Sequence, residues 1–166
     1  MSGKIKSLED LRAIRLNAKN AEKKIVWTNG CYDILHAGHV LYLQRAKRLG
    51  HYLIVGLNSD RSIRATKGPL RPIVNQNERA IVLSALECVD YIIIFDQDSP
   101  IEIIKDLKPD IYAKGGDYTL ETINQPERRV VESYGGDIVI LPGLKGSSTT
   151  TIITKILRAY EDTVRR

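Results

Sequence analysis

Residues 25–39 read IVWTNGCYDILHAGH, and this stretch decides how the rest of the chain is interpreted. It opens with a short apolar run, residues 25–28, whose β-branched side chains are typical of a strand buried on both faces. A glycine-containing polar loop follows, and helical spacing of apolar residues begins at Val40. A strand, a loop and a helix in this order form the first half of a β–α–β unit.

The same alternation continues to the end of the chain. Apolar runs predict strands at residues 25–28, 52–57, 91–95, 111–113 and 138–141, and helical spacing predicts helices at 40–49, 76–87, 100–107, 126–134 and 148–160. We expect an α/β fold: a Rossmann-like, doubly wound, five-stranded parallel sheet with helices on both faces. Residues 1–24 form an N-terminal helical extension, with an amphipathic helix at 7–23, and residues 25–166 form the single domain.

Composition narrows the class of protein. The chain has 166 residues, 43% of them hydrophobic and 27% charged, which is typical of one globular domain and argues against disorder. Its longest apolar runs are far shorter than the roughly 20 residues of a membrane span, and the N-terminus lacks the apolar core of a signal peptide. Two cysteines are too few for a disulfide framework, so we expect a cytoplasmic protein without a membrane partner.

The positive charge of the chain favours a small anionic ligand over nucleic acid. The formal net charge is +5, but acidic and basic residues alternate through most of the sequence, so no nucleic-acid partner is expected. One local cluster is basic: Arg61, Arg64, Lys67 and Arg71, with Asp60 as the one acidic residue among them. Such a cluster suits a small polyanion.

Four loops at the carboxyl ends of the predicted strands are the expected location of a ligand. In the first, His36 and His39 are three residues apart and share one face of a helix that begins there, where free N–H groups favour phosphate. Gly30 and Gly38 let the backbone approach a ligand. The alternatives are surface or capping histidines, or a zinc site, for which a third ligand is missing. Cys31 is read as a small packed hydrophobe rather than as a nucleophile.

The other three loops contribute further candidate ligand-binding groups: a cation, a glycine pair and several hydroxyl groups. Lys67 lies in a predicted loop, residues 64–69, where it can act as a mobile cation. The sequence KGGDY at 114–118 offers glycines that tolerate positive φ, and Asp117 as an acceptor for a ribose hydroxyl or a base. Residues 143–150, GLKGSSTT, place hydroxyls before the last helix, but the lysine precedes the glycine, which is not the order of a P-loop.

These motifs together resemble the cytidylyltransferase-like nucleotidyltransferases with their HxGH signature, and look closest to the adenylyltransferase branch of the ADP-heptose synthases. The resemblance covers nearly everything from residue 25 onward. It rests on TNGCYDILHAGH at 28–39, VGLNSD at 55–60, KG at 67–68, RP at 71–72, NER at 77–79, LECVDY at 86–91, KPD at 108–110, KGGDY at 114–118 and STT at 148–150. Gly143 and Ser147 depart from it, since related cytidylyltransferases have Arg at the first position and the heptose branch usually has Arg at the second.

The resemblance implies transfer of AMP from ATP to a sugar 1-phosphate, heptose 1-phosphate, with Mg²⁺ bound alongside the nucleotide and a homodimeric assembly. It implies catalytic roles for His36, His39 and Lys67. It also implies that the sugar phosphate is bound by Asp33, Arg71 and Arg79, and the nucleotide by Asn29, Gly30, Cys31, Tyr32, Gly38, Gly116, Asp117, Ser147, Ser148 and Thr149.

The open alternatives are the same reaction with CTP and glycerol 3-phosphate or another alcohol phosphate, and a non-catalytic nucleotide-binding domain.

Overall fold

A computed structural model describes residues 3–116, 118–144 and 146–164, and its central feature is a five-stranded parallel sheet. The strands β1 to β5 lie in the spatial order β3-β2-β1-β4-β5. Their bounds are Ile25–Gly30, Tyr52–Asn58, Tyr91–Phe95, Ile111–Gly116 and Asp137–Pro142. The predicted α/β doubly wound fold is confirmed, and the strand order reverses between β1 and β4, where such sheets bind ligands.

Seven helices lie within the described residues. Their bounds are Leu8–Asn20, Ala37–Lys47, Asp60–Lys67, Gln76–Ser84, Ile101–Leu107, Gln125–Ser133 and Thr149–Val164, numbered α1 to α7. Helices α2 and α4 pack on one face of the sheet, around Leu43, Leu83 and Val55. Helices α1, α5 and α6 pack on the other face, around Leu11, Trp27 and Ile104. Within the described part of the chain, no helix is both long and apolar enough to cross a membrane.

The N-terminal helix packs into the same hydrophobic core as the sheet. The Ser7 side chain caps α1 by accepting from the Asp10 N–H, and Asp10 in turn accepts from the Ser7 backbone. Leu11 is fully buried against the second face of the sheet, and Arg15 makes a two-bond ion pair with Asp110. Ahead of the helix, Lys6 donates to the Ile92 carbonyl and Ile92 donates to the Lys4 carbonyl, which adds a short parallel bridge along β3.

Helix α3 corrects the prediction of a loop at residues 64–69. Its N-terminus is capped by Ser59, whose side chain accepts from the Ser62 N–H at 3.1 Å. Only Ser62 and Ile63 of this helix are buried, so its sequence lacks the repeated apolar spacing that predicts a helix. Lys67 is therefore the last residue of α3 rather than part of a loop.

Candidate active site

A cavity of about 860 Å³ opens at the carboxyl ends of the strands and extends across the switch point. It brings together most of the residues predicted from sequence: Asn29, Gly30, Cys31, Tyr32, His36, Gly38, His39, Lys67, Gly116, Ser147, Ser148 and Thr149. Further residues of its lining were not predicted, among them Tyr42, Asn58, Asp98, Lys114 and Gly143. The volume is within the range of small-molecule sites.

His36 and His39 form a stacked pair at the start of α2. Their ring centroids are 3.9 Å apart with an angle of 25° between the planes, and the Tyr32 ring meets His39 edge-on at 5.2 Å. Burial, together with the neighbouring His36, lowers the pKa of His39 to about 4, and burial also lowers the pKa of His36. Near neutral pH both rings are therefore uncharged, and each has one N–H to donate.

Ser147 connects the last loop to the first histidine. Its Oγ lies 3.0 Å from Nδ1 of His36, across 111 positions of sequence. When the hydroxyl donates to Nδ1, the proton of the imidazole is on Nε2, and Nε2–H is the donor that His36 can offer a ligand. Space around the ring is tight, because a Cβ at Gly38 would lie 2.9 Å from Cε1 of His36. Ser147 and Gly38 thus fix this imidazole from two sides.

Two helix N-termini lie at the cavity. His36 is the N-cap of α2, and its side chain makes no capping hydrogen bond. Ser148 precedes α7, and its Oγ accepts from the Thr151 N–H at 3.0 Å. Gly38 and Thr149, both in first turns, line the cavity. The first N–H groups of a helix have no intrahelical partner, and the helix dipole adds partial positive charge, so both ends favour bound phosphate.

Lys67 and Cys31 lie on the wall between β1 and α3. Lys67 is exposed at the end of α3 and has no ion-pair partner within the part of the chain that the structure describes. It is therefore available to an anionic ligand. Cys31 is half-buried, and burial raises the pKa of its thiol. A thiol that stays protonated is a poor nucleophile, which agrees with its interpretation as a packing residue.

Asp33 is absent from the lining of the cavity, and its role in binding the sugar phosphate stays a prediction. Its side chain is fully buried; Oδ1 accepts from the N–H groups of Ile73 and Val74, and Oδ2 accepts from Nε of Arg71 at 2.5 Å. Burial works to raise the pKa of this carboxyl, but these donors outweigh it and the pKa is lowered. Asp33 holds the segment between α3 and α4, and it engages Arg71 in doing so.

Arg79 likewise makes internal contacts, and its role in binding the sugar phosphate stays a prediction. Its guanidinium, fully buried in α4, donates to the carbonyls of Val74, Cys31 and Asn58 and forms an ion pair with Asp60 at 2.8 Å. These bonds use all three nitrogens of the guanidinium group. The side chain thereby holds the chain segments at the ends of β1 and β2 in place. Arg71 has no atom in the cavity lining and remains a predicted ligand only.

Lys114 was missed as a site residue. It lies in β4 with its side chain 15% exposed, lines the cavity, and donates to Oδ1 of Asn29 at 3.1 Å. The signal was a lysine next to a glycine pair at the end of a predicted strand. Asp117, the neighbouring predicted nucleotide ligand, lies outside the described residues.

The polar side chains of the cavity decide which metal ion it could hold. Among the described residues, no group of three or more His, Cys, Asp or Glu side chains is arranged to hold a metal ion. Asp98 is the carboxylate of the described lining, and the other polar groups are neutral or cationic. This donor set suits a Mg²⁺ ion whose other ligands are phosphate oxygens and water.

Comparison with known proteins places the chain in a family. Residues 27–155 match the Cytidylyltransferase-like family. The chain is 51% identical over 158 residues to "Bifunctional protein HldE" of Syntrophotalea carbinolica and 53% identical over 157 residues to the protein of that name from Geobacter metallireducens. Each comparison covers 95% of this chain, which spans 32% of the length of each relative.

Solved structures agree with this fold. A lipopolysaccharide core biosynthesis protein from Thermoplasma volcanium aligns with a TM-score of 0.61 and 29% identity, covering 75% of this chain and 99% of that one. Pantoate-beta-alanine ligase from Francisella tularensis shares the fold at 15% identity, with a TM-score of 0.57, covering 93% and 78% of the two chains. The resemblance predicted from sequence is confirmed, and the chain belongs to the cytidylyltransferase-like family of nucleotidyltransferases.

Proposed function

We propose that this chain transfers AMP from ATP to a sugar 1-phosphate, with D-glycero-β-D-manno-heptose 1-phosphate as the acceptor, and gives ADP-heptose and pyrophosphate. The observation that carries the proposal is the convergence of two uncharged imidazoles, two helix N-termini and Lys67 on one cavity. The likeness to the HldE proteins and to the Thermoplasma volcanium lipopolysaccharide core biosynthesis protein supports the choice of a sugar substrate.

The chemistry requires positioning and charge stabilisation rather than a covalent nucleophile. A phosphate oxygen of the sugar 1-phosphate attacks the α-phosphorus of ATP, a new P–O bond forms, and the bond to the bridging α–β oxygen breaks to release pyrophosphate. The attacking oxygen is already anionic, so no general base has to remove a proton. The rate then depends on alignment and on donors to the developing charge.

Each group of the site has a place in that reaction. We assign the N–H donors of His36 and His39 to the oxygens of the transferring phosphoryl group. Lys67 and the first N–H groups of α7 stabilise the pyrophosphate that leaves, since a mobile ammonium and a helix N-terminus both favour anionic oxygens. Asp98, the carboxylate of the described lining, would be available to hold a Mg²⁺ ion bound with the triphosphate, which would supply charge neutralisation to the phosphates.

The choice of ATP over CTP rests on the wall of the cavity at Gly143. A Cβ at this position would lie 3.1 Å from Cα of Gly116, so this backbone leaves little room for a side chain. The resemblance associates Arg at this position with cytidylyltransferases, and the limited room at Gly116 supports the choice of ATP in our proposal. Reaction with CTP and glycerol 3-phosphate therefore serves as the competing outcome of the test.

Pyrophosphate release is the measurement. The purified chain is assayed with ATP or CTP against heptose 1-phosphate, other sugar 1-phosphates and glycerol 3-phosphate. We expect release only with ATP and a sugar 1-phosphate, and a loss of about 10²-fold or more in His36→Ala, because it removes a donor to the transition state. His51→Ala, which removes the histidine outside the cavity, is the control. Binding of ATP without release from any acceptor would support a non-catalytic nucleotide-binding domain instead.

The assembly and the compartment are part of the proposal. A homodimer remains the expected state, and light scattering of the purified chain tests it, with a monomer mass as the contrary result. Both cysteines are free thiols, which suits the reducing cytoplasm that we propose for the reaction.

A further inference from the structure

A buried polar cluster lies directly beneath the cavity, between β1, β4 and α6. Nζ of Lys114 donates to Oδ1 of Asn29 at 3.1 Å and lies 3.5 Å from Oε2 of Glu127. The same ammonium is 5.2 Å from the centre of the Tyr112 ring. Asn29 and Lys114 line the cavity, whereas Glu127 does not. Glu127 therefore acts on the ligand space through its neighbours, most directly through the ammonium group of Lys114.

The cluster fixes which way the Asn29 amide points. An ammonium group only donates, so the atom of Asn29 that contacts Lys114 is the carbonyl oxygen. The Tyr112 hydroxyl lies 3.4 Å from the same oxygen. Among the described residues, Nδ2 of Asn29 has no hydrogen-bond partner, and the residue is part of the cavity lining. The amide N–H groups are thus the ones available to a ligand, and they suit an anionic oxygen.

Both carboxylate oxygens of Glu127 have partners within this cluster. Its side chain is 4% exposed, Oε1 accepts from the Ser99 hydroxyl at 2.8 Å, and Oε2 accepts from the Tyr112 hydroxyl. Its own backbone N–H donates to Oδ1 of Asn124, the N-cap of α6, at 3.0 Å. A buried carboxylate with two hydroxyl donors stays in place as the fixed counter-charge of Lys114.

The charge of Lys114 depends on this partner. Burial lowers the pKa of Lys114, while Glu127 opposes the shift, and the Cys31 thiol across the wall acts in the same direction as Glu127 to a smaller extent. Among the described residues, Tyr112 is a further titratable group against Lys114; burial and Glu127 raise its pKa, so its hydroxyl stays protonated. Removal of the Glu127 charge would leave burial as the main influence on the pKa of Lys114.

We propose that Glu127 is a positioning residue: it holds Lys114 as an ammonium against Oδ1 of Asn29 and thereby presents the Asn29 N–H groups to a phosphate oxygen of the nucleoside triphosphate. This inference rests on the proposed function for the identity of the ligand. It adds a residue on α6, outside the cavity wall, to the determinants of nucleotide affinity.

The central experiment compares Glu127→Gln with Glu132→Gln, a substitution on the same helix at an exposed ion pair with Arg128. The dissociation constant of ATP is measured by calorimetry without acceptor between pH 6.5 and 9.5. We expect Glu127→Gln to weaken ATP binding about five- to tenfold at pH 7.5, the size of one ordinary hydrogen bond. Binding should also decline at a lower pH than in the unmodified chain, because Lys114 loses its proton earlier.

A second readout and a second variant distinguish a loss of positioning from a loss of folding. The ¹³Cε resonance of Lys114 reports its titration directly, and we expect its midpoint to move to lower pH in Glu127→Gln but not in Glu132→Gln. Asn29→Asp keeps an oxygen for Lys114 and should fold, yet it replaces the amide donors by a carboxylate. We expect it to weaken ATP binding more than Glu127→Gln does.

The outcomes separate this inference from the proposed function. An unmodified chain that binds ATP but releases no pyrophosphate from any acceptor would refute the reaction and leave the positioning role in place. Unchanged ATP affinity and unchanged Lys114 titration in Glu127→Gln would overturn the positioning role and leave the reaction in place. A chain that binds no nucleoside triphosphate at all would overturn both.

Discussion

The hydroxyl of Ser147 lies 3.0 Å from Nδ1 of His36, so the loop after β5 sets the orientation of a side chain from the loop after β1. The two residues come from strands that are not neighbours in the sheet, with β4 between them. Both line the same cavity, and their contact spans the switch point. The Ser147 hydroxyl is therefore placed where it can set the tautomer of His36, the first predicted catalytic residue.

Ser147→Ala should reduce turnover because it frees His36 to change its tautomer and orientation. A neutral hydrogen bond contributes about 1 kcal/mol, so we expect kcat to fall about three- to tenfold with little change in stability. Steady-state pyrophosphate release measures the effect. Ser133→Ala, which removes an exposed hydroxyl within α6, is the matched control. A kcat equal to that of the control would show that Ser147 does not shape the His36 donor.

The stability of the domain should fall on mild acidification because of His39. The pKa of His39 is about 4 in the folded chain and about 6.5 when unfolded. Between these values the unfolded chain binds a proton that the folded chain does not, so the free energy of unfolding decreases as the pH falls from 6.5 to 4. The lowered pKa of His36 adds to the same slope.

Urea denaturation at a series of pH values checks this expectation. His39→Gln should give a flatter profile in that window, whereas His51→Gln should keep the slope of the unmodified chain. The carboxyl of Asp33, with its lowered pKa, contributes stability that is lost only at more acidic pH, so it does not obscure the histidine effect. A profile in His39→Gln as steep as the original would contradict the assignment.

Arg79→Met should destabilise the fold more than it affects any ligand contact directly. The substitution leaves Asp60 and three buried carbonyls without their donor, and loss of one partner of a buried ion pair costs about 3–5 kcal/mol. Chemical denaturation measures the loss, with Arg128→Met at an exposed pair as the control. Arg79→Lys should not restore stability, because one ammonium cannot replace a fork of three nitrogens. Unchanged stability in Arg79→Met would contradict the structural role of these contacts and leave Arg79 available to bind an anionic ligand.

Leu11→Ala tests whether α1 is part of the core. The side chain is fully buried against the sheet, so its truncation should lower the free energy of unfolding by about 2–5 kcal/mol. Leu16→Ala on the same helix, where the side chain is 60% exposed, should change stability by no more than about 0.5 kcal/mol. Equal effects of the two substitutions would mean that α1 is dispensable for the domain.

The parts of the fold that follow from local pattern were predictable. All five strands contain short apolar runs such as Tyr91–Phe95, and in β1 and β2 consecutive residues are buried on both faces, which gives a clear sequence signal. Helix α3 was missed because it is short and polar, with Ile63 as its one buried apolar residue. Its stability comes from the Ser59 cap and from tertiary contacts, which leave little trace in hydrophobic spacing.

Polar residues of the site were harder to assign, since a charge in the sequence does not reveal its partner. His36 and His39 were found because their spacing and their helix start are local features. Asp33 and Arg79 were predicted as ligands, and the structure adds that each is buried in an ion pair, with Arg71 and Asp60 respectively. The Glu127 contact with Lys114 joins α6 to β4, and only the three-dimensional structure brings these two residues together.

The backbone bridge between residues 4–6 and Ile92 places the first described residues beside the start of β3. Ile92 is near the start of β3, so the chain enters the domain at the amino ends of the strands, on the opposite side from the cavity. A purification tag or a fused domain placed ahead of Gly3 would emerge at that far side and leave the mouth of the cavity open. Fusion proteins and surface-immobilised forms should therefore be anchored through the amino terminus.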